Sequence, residues 1–480
     1  MVMIYRHVFT FMLISFSFIF VLFNVVNTTV EPADFKVQLS RTLAKKNEMW
    51  PHRFIQNFTC EPFLNGKAGA KEVDELKGKW NYSDDFFFDQ IDMDDKDSCD
   101  EIKSTFDFNT QPLSTEEQNY PLAYGLITYK NLAQFYFTLS AIYHPQNAYC
   151  IAVDGKSSQA FKSGVQKLAN CFPNITIIPE PKVGWCSKTV LYSMLDCFQS
   201  LTFSSHPWRY YQYYSGFDLP LKTNLQMVRI FKQLNGSVIG EATLGGRLRT
   251  YKRINNDTVL PVRKASMGAL ISREAANDAF KNATNHRIID EGFAGAHIYN
   301  KSNKVYKSCS DELFWATIFG NAKVMPLNGA YDSGEILKER LIPHYFSTIS
   351  SRKPSTILKT AADPYLLEHY LMARYQVWKS KRSLCNGKYK ASSCVFGLLD
   401  LHRLIGRAEL AAHKFHMDVQ PAAYFCLWKH IKDKAFDPSE KHFRGHNYRN
   451  LPHVKLKSGI SVQDLRDYYT NQTALQTLAK

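Results

Sequence analysis

From Leu122 to Gly216 the apolar residues switch repeatedly between strand-like runs and helical spacing, and this alternation constrains the fold more tightly than any other feature of the chain. LAYGLITY (122–129) is a short apolar run of strand type. Leu132, Phe135, Tyr136, Leu139 and Ile142 then recur at helical spacing, and Pro145 closes that helix. AYCIAVD (148–154) is a second strand, NITIIP (174–179) a third after an intervening helical stretch, and Val190, Leu191, Met194, Leu195, Phe198 and Leu201 mark one face of another helix. YYQYYSG (210–216) has the aromatic bias of a further strand. This β-α-β-α order predicts an α/β fold: a mostly parallel sheet with helices on both faces. In such sheets ligands sit beyond the carboxyl ends of the strands, which makes Asp154 a candidate ligand contact; taken alone, it reads equally well as a solvated or helix-capping Asp.

The rest of the chain frames that core. Val8 to Val26 is almost entirely apolar and without charge, long enough for one membrane crossing, and Arg6 and His7 before it favour a cytosolic N-terminus. A cleaved signal peptide is the alternative, although no A-x-A-like site follows. The expected organisation is a cytosolic tail (1–7), a transmembrane signal anchor (8–26), a lumenal stem and pre-catalytic segment (27–119), a catalytic domain (120–435) and a basic, loosely held C-terminal extension (436–480). N-x-[ST] sequons at Asn57, Asn81, Asn174, Asn235, Asn256, Asn282, Asn300 and Asn471 are spread over the whole segment after the anchor. The ten Cys contain no C-x-x-C pair, so structural disulfides in an oxidising lumen are expected. The net charge of +15 comes from Lys and Arg dispersed along the chain, with no basic arm; this argues against a nucleic-acid partner and suits an anionic small ligand.

Four segments in order resemble the core-2 and I-branching β-1,6-N-acetylglucosaminyltransferase family (glycosyltransferase family 14), whose relatives include peptide xylosyltransferases: AIYHPQNAYCIAVDGKS (141–157), GFDLPLKTNLQMVRIFK (216–232), SCSDELFWATI (308–318) and AAHKFHMDVQPAAYFCL (411–427). The resemblance covers roughly 120–435 and implies a GT-A-like nucleotide-sugar-binding fold, with a UDP-sugar as co-substrate and no metal cofactor. Asp92-Met93-Asp94 and Asp95-Lys96-Asp97 match the Asp-x-Asp pattern that holds a divalent ion in other GT-A enzymes, but they do not follow a core strand. Without a metal, side-chain cations must neutralise the departing diphosphate. The resemblance places a Lys at Lys414, whereas its Arg falls on Ala391, beside Lys390 and near Lys388. Lys offers a point charge in place of a guanidinium fork. Asp154 would meet the uridine or ribose.

Inverting transfer needs a carboxylate to take the acceptor hydroxyl proton. The resemblance puts that base at Glu312, with Asp311 as rival; the bulk of Leu313, Phe314 and Trp315 could raise its pKa. Ser310-Asp311-Glu312 also reads as a helix start with Ser as cap, and both readings can hold. On the acceptor side the resemblance implies Glu241 and Arg247, with aromatic stacking from Tyr375 and, less directly, Trp378. It also implies disulfides Cys60–Cys426, Cys99–Cys171, Cys150–Cys197 and Cys385–Cys394, leaving Cys186 and Cys309 either as a fifth bridge or as two buried thiols. The expected activity is transfer of GlcNAc or another hexose from a UDP-sugar, β1,6-linked, to a Gal/GalNAc-containing O-glycan by a single-pass type II protein of the Golgi membrane. A peptide O-xylosyltransferase and an inactive lumenal glycan-binding protein are the alternatives.

Overall fold

The computed structural model describes residues 58–76, 83, 85–89, 91–93, 95, 98–240, 251–253, 259–263, 265–281, 298–299, 305–306, 309–334, 372–379, 384–461 and 464. The apolar segment 8–26 lies outside them, and among the described residues no helix is long and apolar enough to cross a membrane.

The alternation read from the sequence becomes β1 (Leu122–Thr128), α1 (Leu132–Ile142), β2 (Ala148–Val153), α2 (Gln159–Cys171), β3 (Ile175–Pro179), α3 (Lys188–Phe203) and β4 (Tyr210–Ser215). Local chemistry starts these helices: the hydroxyls of Ser158 and Ser187 accept the backbone N–H groups of Phe161 and Thr189. β2 and β4 flank β1 in parallel, with Ala123 beside Ala148 and Leu122 beside Tyr210, and β3 joins β2 in parallel. A fifth strand outside this series, β6 (Leu270–Ser272), runs antiparallel to β4 at the edge, so the sheet order is β3-β2-β1-β4-β6. Between them lie β5 (Asp218–Pro220) and α4 (Asn224–Leu234), the latter opened by a capping box between Thr223 and Gln226.

Strand periodicity sends alternate residues to opposite faces. On one face Ala123, Cys150, Tyr211 and Tyr213 pack with Leu191, Met194 and Phe198 of α3 and with Trp315 and Phe319 of α5 (Phe314–Phe319). The disulfide Cys150–Cys197 staples β2 to α3 there. On the other face Tyr124 stacks on Tyr149 at 5.5 Å and donates to Met227 Sδ of α4 at 3.3 Å. Both faces are therefore covered, as a mostly parallel sheet requires.

Two boundaries differ from those expected. The compact unit begins at Cys60, within the segment read as stem and pre-catalytic, which places the merging of stem into folded part near its middle. Phe87 and Phe106 pack on Phe137 of α1, and Cys60–Cys426 and Cys99–Cys171 anchor the segment to α6 (Pro421–Lys434) and α2. Polar stretches with isolated aromatics carry little periodicity, which is why this one read as stem. Nor is the chain loosely held just after Ala435. Arg229 of α4 donates to the carbonyls of Glu440, Lys441 and Phe443, Tyr448 donates to Ala408 O at 2.6 Å, and the His453 ring of α7 (Pro452–Lys457) meets Tyr331 at 4.2 Å.

Beyond the main sheet, β7 (Tyr375–Gln376), β10 (Ala411–His413) and β5 form a small sheet with β10 central. β8 (Lys388–Lys390) and β9 (Ser393–Val395) form a hairpin. A four-stranded antiparallel sheet is made by 251–253, 259–261, 298–299 and 305–306.

Candidate active site

Strand β1 is central: the chain winds outward from it through β2 and β3, then returns to its other side with β4. The reversal opens a crevice beyond the carboxyl ends of the strands, where ligands of open α/β sheets bind. Asp154 follows β2 there and is 4 % exposed. Its backbone N–H donates to Thr128 O at 3.1 Å, its Oδ1 accepts the N–H groups of Lys156 (2.9 Å) and Val183 (3.0 Å), and its Oδ2 lies 3.3 Å from Lys156 Nζ. The carboxylate thus clamps the loop after β2 to the loop after β3. Gly155 is required by that closeness, because a Cβ on it would lie 2.7 Å from Glu180 O.

Glu180 was not singled out from the sequence, although it follows β3 as Asp154 follows β2. It is buried with Oε1 unbonded, and burial first, then Asp196, pushes its carboxyl up to about 7 against a hydrogen bond from Ser193. Trp185, also missed, stands 92 % exposed on the same loop. Nothing in its spacing marks it; only its position after Asp154's partner Val183 does.

That loop is bonded to the candidate base. Cys186 pairs with Cys309, which settles the alternatives for these two residues in favour of a bridge. Ser310–Glu312 then form one 3-10 turn, and α5 begins only at Phe314 without a side-chain cap, so Ser310 is not the helix cap considered from the sequence. The turn is fixed from the other side by Ala265, whose N–H donates to Glu312 O at 2.6 Å. Asp311 is buried beside Tyr213, whereas Glu312 keeps partial exposure. Of the two residues, Glu312 is the less buried.

The candidate cations stand on β10 and the hairpin. Lys414 follows β10, its Nζ donating to Lys390 O at 2.7 Å, and its own backbone bonds Cys394 and Phe396 of the hairpin arm. Burial, then the like charge of Lys390, lowers the Lys414 pKa. Ala391 and Ser392 form the hairpin tip with left-handed φ of 49° and 61°. Beneath Lys414 lies a buried network: Asp218 accepts from Ser215 N–H (2.7 Å), bonds His413 Nδ1 (2.7 Å) and faces Arg374 (3.7 Å). Burial works to raise the Asp218 pKa, but Arg374, His413 and the Ser215 N–H outweigh it and hold the carboxylate ionised. Arg374 in turn donates to Ser266 Oγ at 3.3 Å, one residue from the contact that fixes Glu312. Polar contacts and two stretches of backbone thus join the Glu312 turn to Lys414.

Residues 122–334 match the Core-2/I-branching enzyme family. Over 450 residues the chain is 25 % identical to a β-1,3-galactosyl-O-glycosyl-glycoprotein β-1,6-N-acetylglucosaminyltransferase 3 of Ovis aries, covering 87 % of this chain and 91 % of the relative. It is 29 % identical over 374 residues to an N-acetyllactosaminide β-1,6-N-acetylglucosaminyl-transferase of Mus musculus (72 % and 81 % covered). It is 26 % identical over 355 residues to a β-1,3-galactosyl-O-glycosyl-glycoprotein β-1,6-N-acetylglucosaminyltransferase of bovine herpesvirus 4 (71 % and 74 %). This chain is a glycosyltransferase with a Core-2/I-branching enzyme domain over residues 122–334.

The four disulfides implied by the Core-2/I-branching resemblance are all formed, and Cys186–Cys309 is a fifth. The acceptor residues fare differently. Glu241 and Arg247 lie outside the described residues. Tyr375 is a poor platform for a sugar, because its ring stacks on Phe396 at 5.8 Å and carries the Arg407 guanidinium at 3.7 Å. Trp378, 55 % exposed, is the more available aromatic. Of the Asp-x-Asp residues, Asp94 and Asp97 lie outside the described residues. Among the described residues one cluster has metal-ligand proximity, Cys385, Cys394 and Asp400; its sulfurs are consumed by a disulfide and its carboxylate by Asn386, Gly397 and Arg403. It does not fit an ion.

Of the sequons, Asn235 is exposed at the end of α4. Asn174 is built into the fold: its Nδ2 donates to the carbonyls of His144, Pro145 and Asn147, so a glycan on that nitrogen would displace native hydrogen bonds. Asn57, Asn81, Asn256, Asn282, Asn300 and Asn471 lie outside the described residues.

Proposed function

We propose that this protein transfers GlcNAc, or another hexose, from a UDP-sugar to a Gal/GalNAc-containing O-glycan in β1,6 linkage, with inversion and without a metal. The observation that carries the reading is the link from the partly exposed Glu312 through Cys309–Cys186 to the loop that Asp154 holds over the sheet's carboxyl ends. Glu312 takes the proton of a primary 6-hydroxyl as that oxygen forms its bond to the anomeric carbon. The bond to the diphosphate breaks on the opposite face, and its electron pair stays on the leaving oxygen. Lys414 and Lys390 stabilise that charge, fixed in place before the reaction begins. Asp154 orders the loop that receives the uridine, and the exposed indole of Trp185 offers it a stacking surface.

Five disulfides suit folding in an oxidising compartment, in keeping with a type II Golgi membrane protein anchored by residues 8–26. The donor sugar and acceptor follow those named for the relatives, which act on galactosyl-O-glycosyl glycoproteins or on N-acetyllactosaminide. The test is transfer from a panel of UDP-sugars to Galβ1,3GalNAc in the presence of EDTA. Glu312→Gln is expected to lower turnover at least ~100-fold, as loss of a general base does, while UDP binding stays unchanged. Full activity of that variant, or a strict need for manganese in the native protein, would overturn the mechanism.

A further inference from the structure

Lys414 and Lys390 are not the only cations at this end of the sheet. Lys130 follows β1 on the short turn into α1, next to Asn131 with its left-handed φ of 58°. The turn therefore sits at the point where the strand order reverses between β1 and β4, the preferred ligand position of such a sheet. Across from it, Phe217 follows β4. Its ring lies 5.7 Å from that of Tyr129 and stacks on His416 at 4.5 Å. One side chain of α1 fixes the geometry: Gln134 Nε2 donates to Gly216 O (3.1 Å) and Phe415 O (3.0 Å), and its Oε1 accepts Met417 N–H (2.9 Å).

His416 is 4 % exposed, and its Nδ1 has no hydrogen-bond partner. The nearest acid, the half-exposed Asp418, is 3.6 Å away. Lys390, Lys414 and Lys130 all act on the ring as like charges; with burial as the largest cause, they depress its pKa to about 4. None of the three ammonium groups has a carboxylate within ion-pairing distance among the described residues, and Lys130 Nζ stands over the Tyr129 ring at 5.3 Å. Cations gathered around a buried, unsatisfied imidazole repel one another until an anion enters. A solvated surface lysine would account for Lys130 alone, but not for its convergence with two others on His416.

We propose that Lys130 and His416 are donor-contacting residues that, with Lys390 and Lys414, seat the diphosphate of the nucleotide sugar across the mouth between β1 and β10. The inference rests on the donor reading above and extends it to the opposite wall of the crevice. The two added residues let the phosphates be held from both sides, with Lys130 supplying charge and the His416 ring a hydrogen-bonding floor.

Calorimetric titration of the purified chain with UDP and, separately, with uridine tests this. Lys130→Ala and His416→Asn are each expected to weaken UDP binding at least ~10-fold, the worth of one charge-assisted contact, and to leave uridine binding unchanged. Lys232→Ala, whose lysine pairs with Glu116 elsewhere on α4, is expected to bind UDP normally. If Lys130→Ala and His416→Asn bind UDP as the native chain does while Lys414→Ala does not, the donor reading stands and this inference fails. If Lys414→Ala and Lys390→Ala also bind normally, both fail. Lys130 is half-exposed and its removal leaves the core intact, so this variant decides the matter even if His416→Asn does not fold.

Discussion

Asp218 has no solvent exposure, yet it is ionised, because Arg374, His413 and the Ser215 N–H together offset the cost of burying its charge. Its function is to fix the strand that delivers Lys414, since His413 lies next to Lys414 and β10 pairs with β5 through His413 and Asp218. Replacing Asp218 with Asn keeps the volume but leaves the buried Arg374 without a counter-charge. A loss of about 3–5 kcal/mol in unfolding free energy is expected, read from the shift in urea midpoint. An unchanged midpoint would show that Arg374 finds its counter-charge elsewhere. The sequence offered Asp154 as a candidate from its place at the end of a strand, and Glu312 and Lys414 through the segments that carry the family resemblance. It hid Asp218 and Arg374, since their meaning depends on partners as far as 195 residues away, and no local pattern encodes such a meeting.

Among the elements, the loop after β3 and the 3-10 turn at Glu312 are each short and irregular, and neither has a core of its own to hold it. What joins them is Cys186–Cys309, closing 123 residues of chain between the proposed donor loop and the proposed base. Four other disulfides and both sheet faces would remain if this bridge were removed, so the double replacement Cys186→Ala/Cys309→Ala should fold. Its thermal stability should fall modestly, consistent with the few kcal/mol (about 2–4) typical of one bridge. Catalysis should suffer more: misplacement of a base by about 1 Å costs ~100-fold in rate. The expected signature is a large drop in kcat with UDP affinity within a few-fold of native. Equal loss of kcat and of UDP binding would mean that the bridge holds the nucleotide loop alone. The strands and helices of this region were readable because burial imposes a period upon them. The link between the two loops was not, because cysteine spacing leaves connectivity open.

Across the molecule, buried histidines set the response to acid. His144 near the end of α1 and His453 on α7 are deeply buried and His413 in the site mostly so, and burial is the first cause lowering them, to about 3, about 4 and about 4. In the unfolded chain these rings titrate near 6.5, so between that pH and 4 the unfolded state binds protons that the folded state refuses. Stability must therefore fall as the pH drops through this window, by about 1–2 kcal/mol per ring at pH 5. Glu180 runs the other way: its folded value of about 7 lies above its unfolded one, so its protonation favours the folded state as the pH falls from 7 toward 4.5. Three rings outweigh one carboxyl, and the melting temperature should decline between pH 7 and pH 5. Glu180→Gln removes the opposing contribution and should steepen the decline. A melting temperature that stays level over this range in both proteins would mean that the rings are protonated in the folded state, and hence reached by solvent.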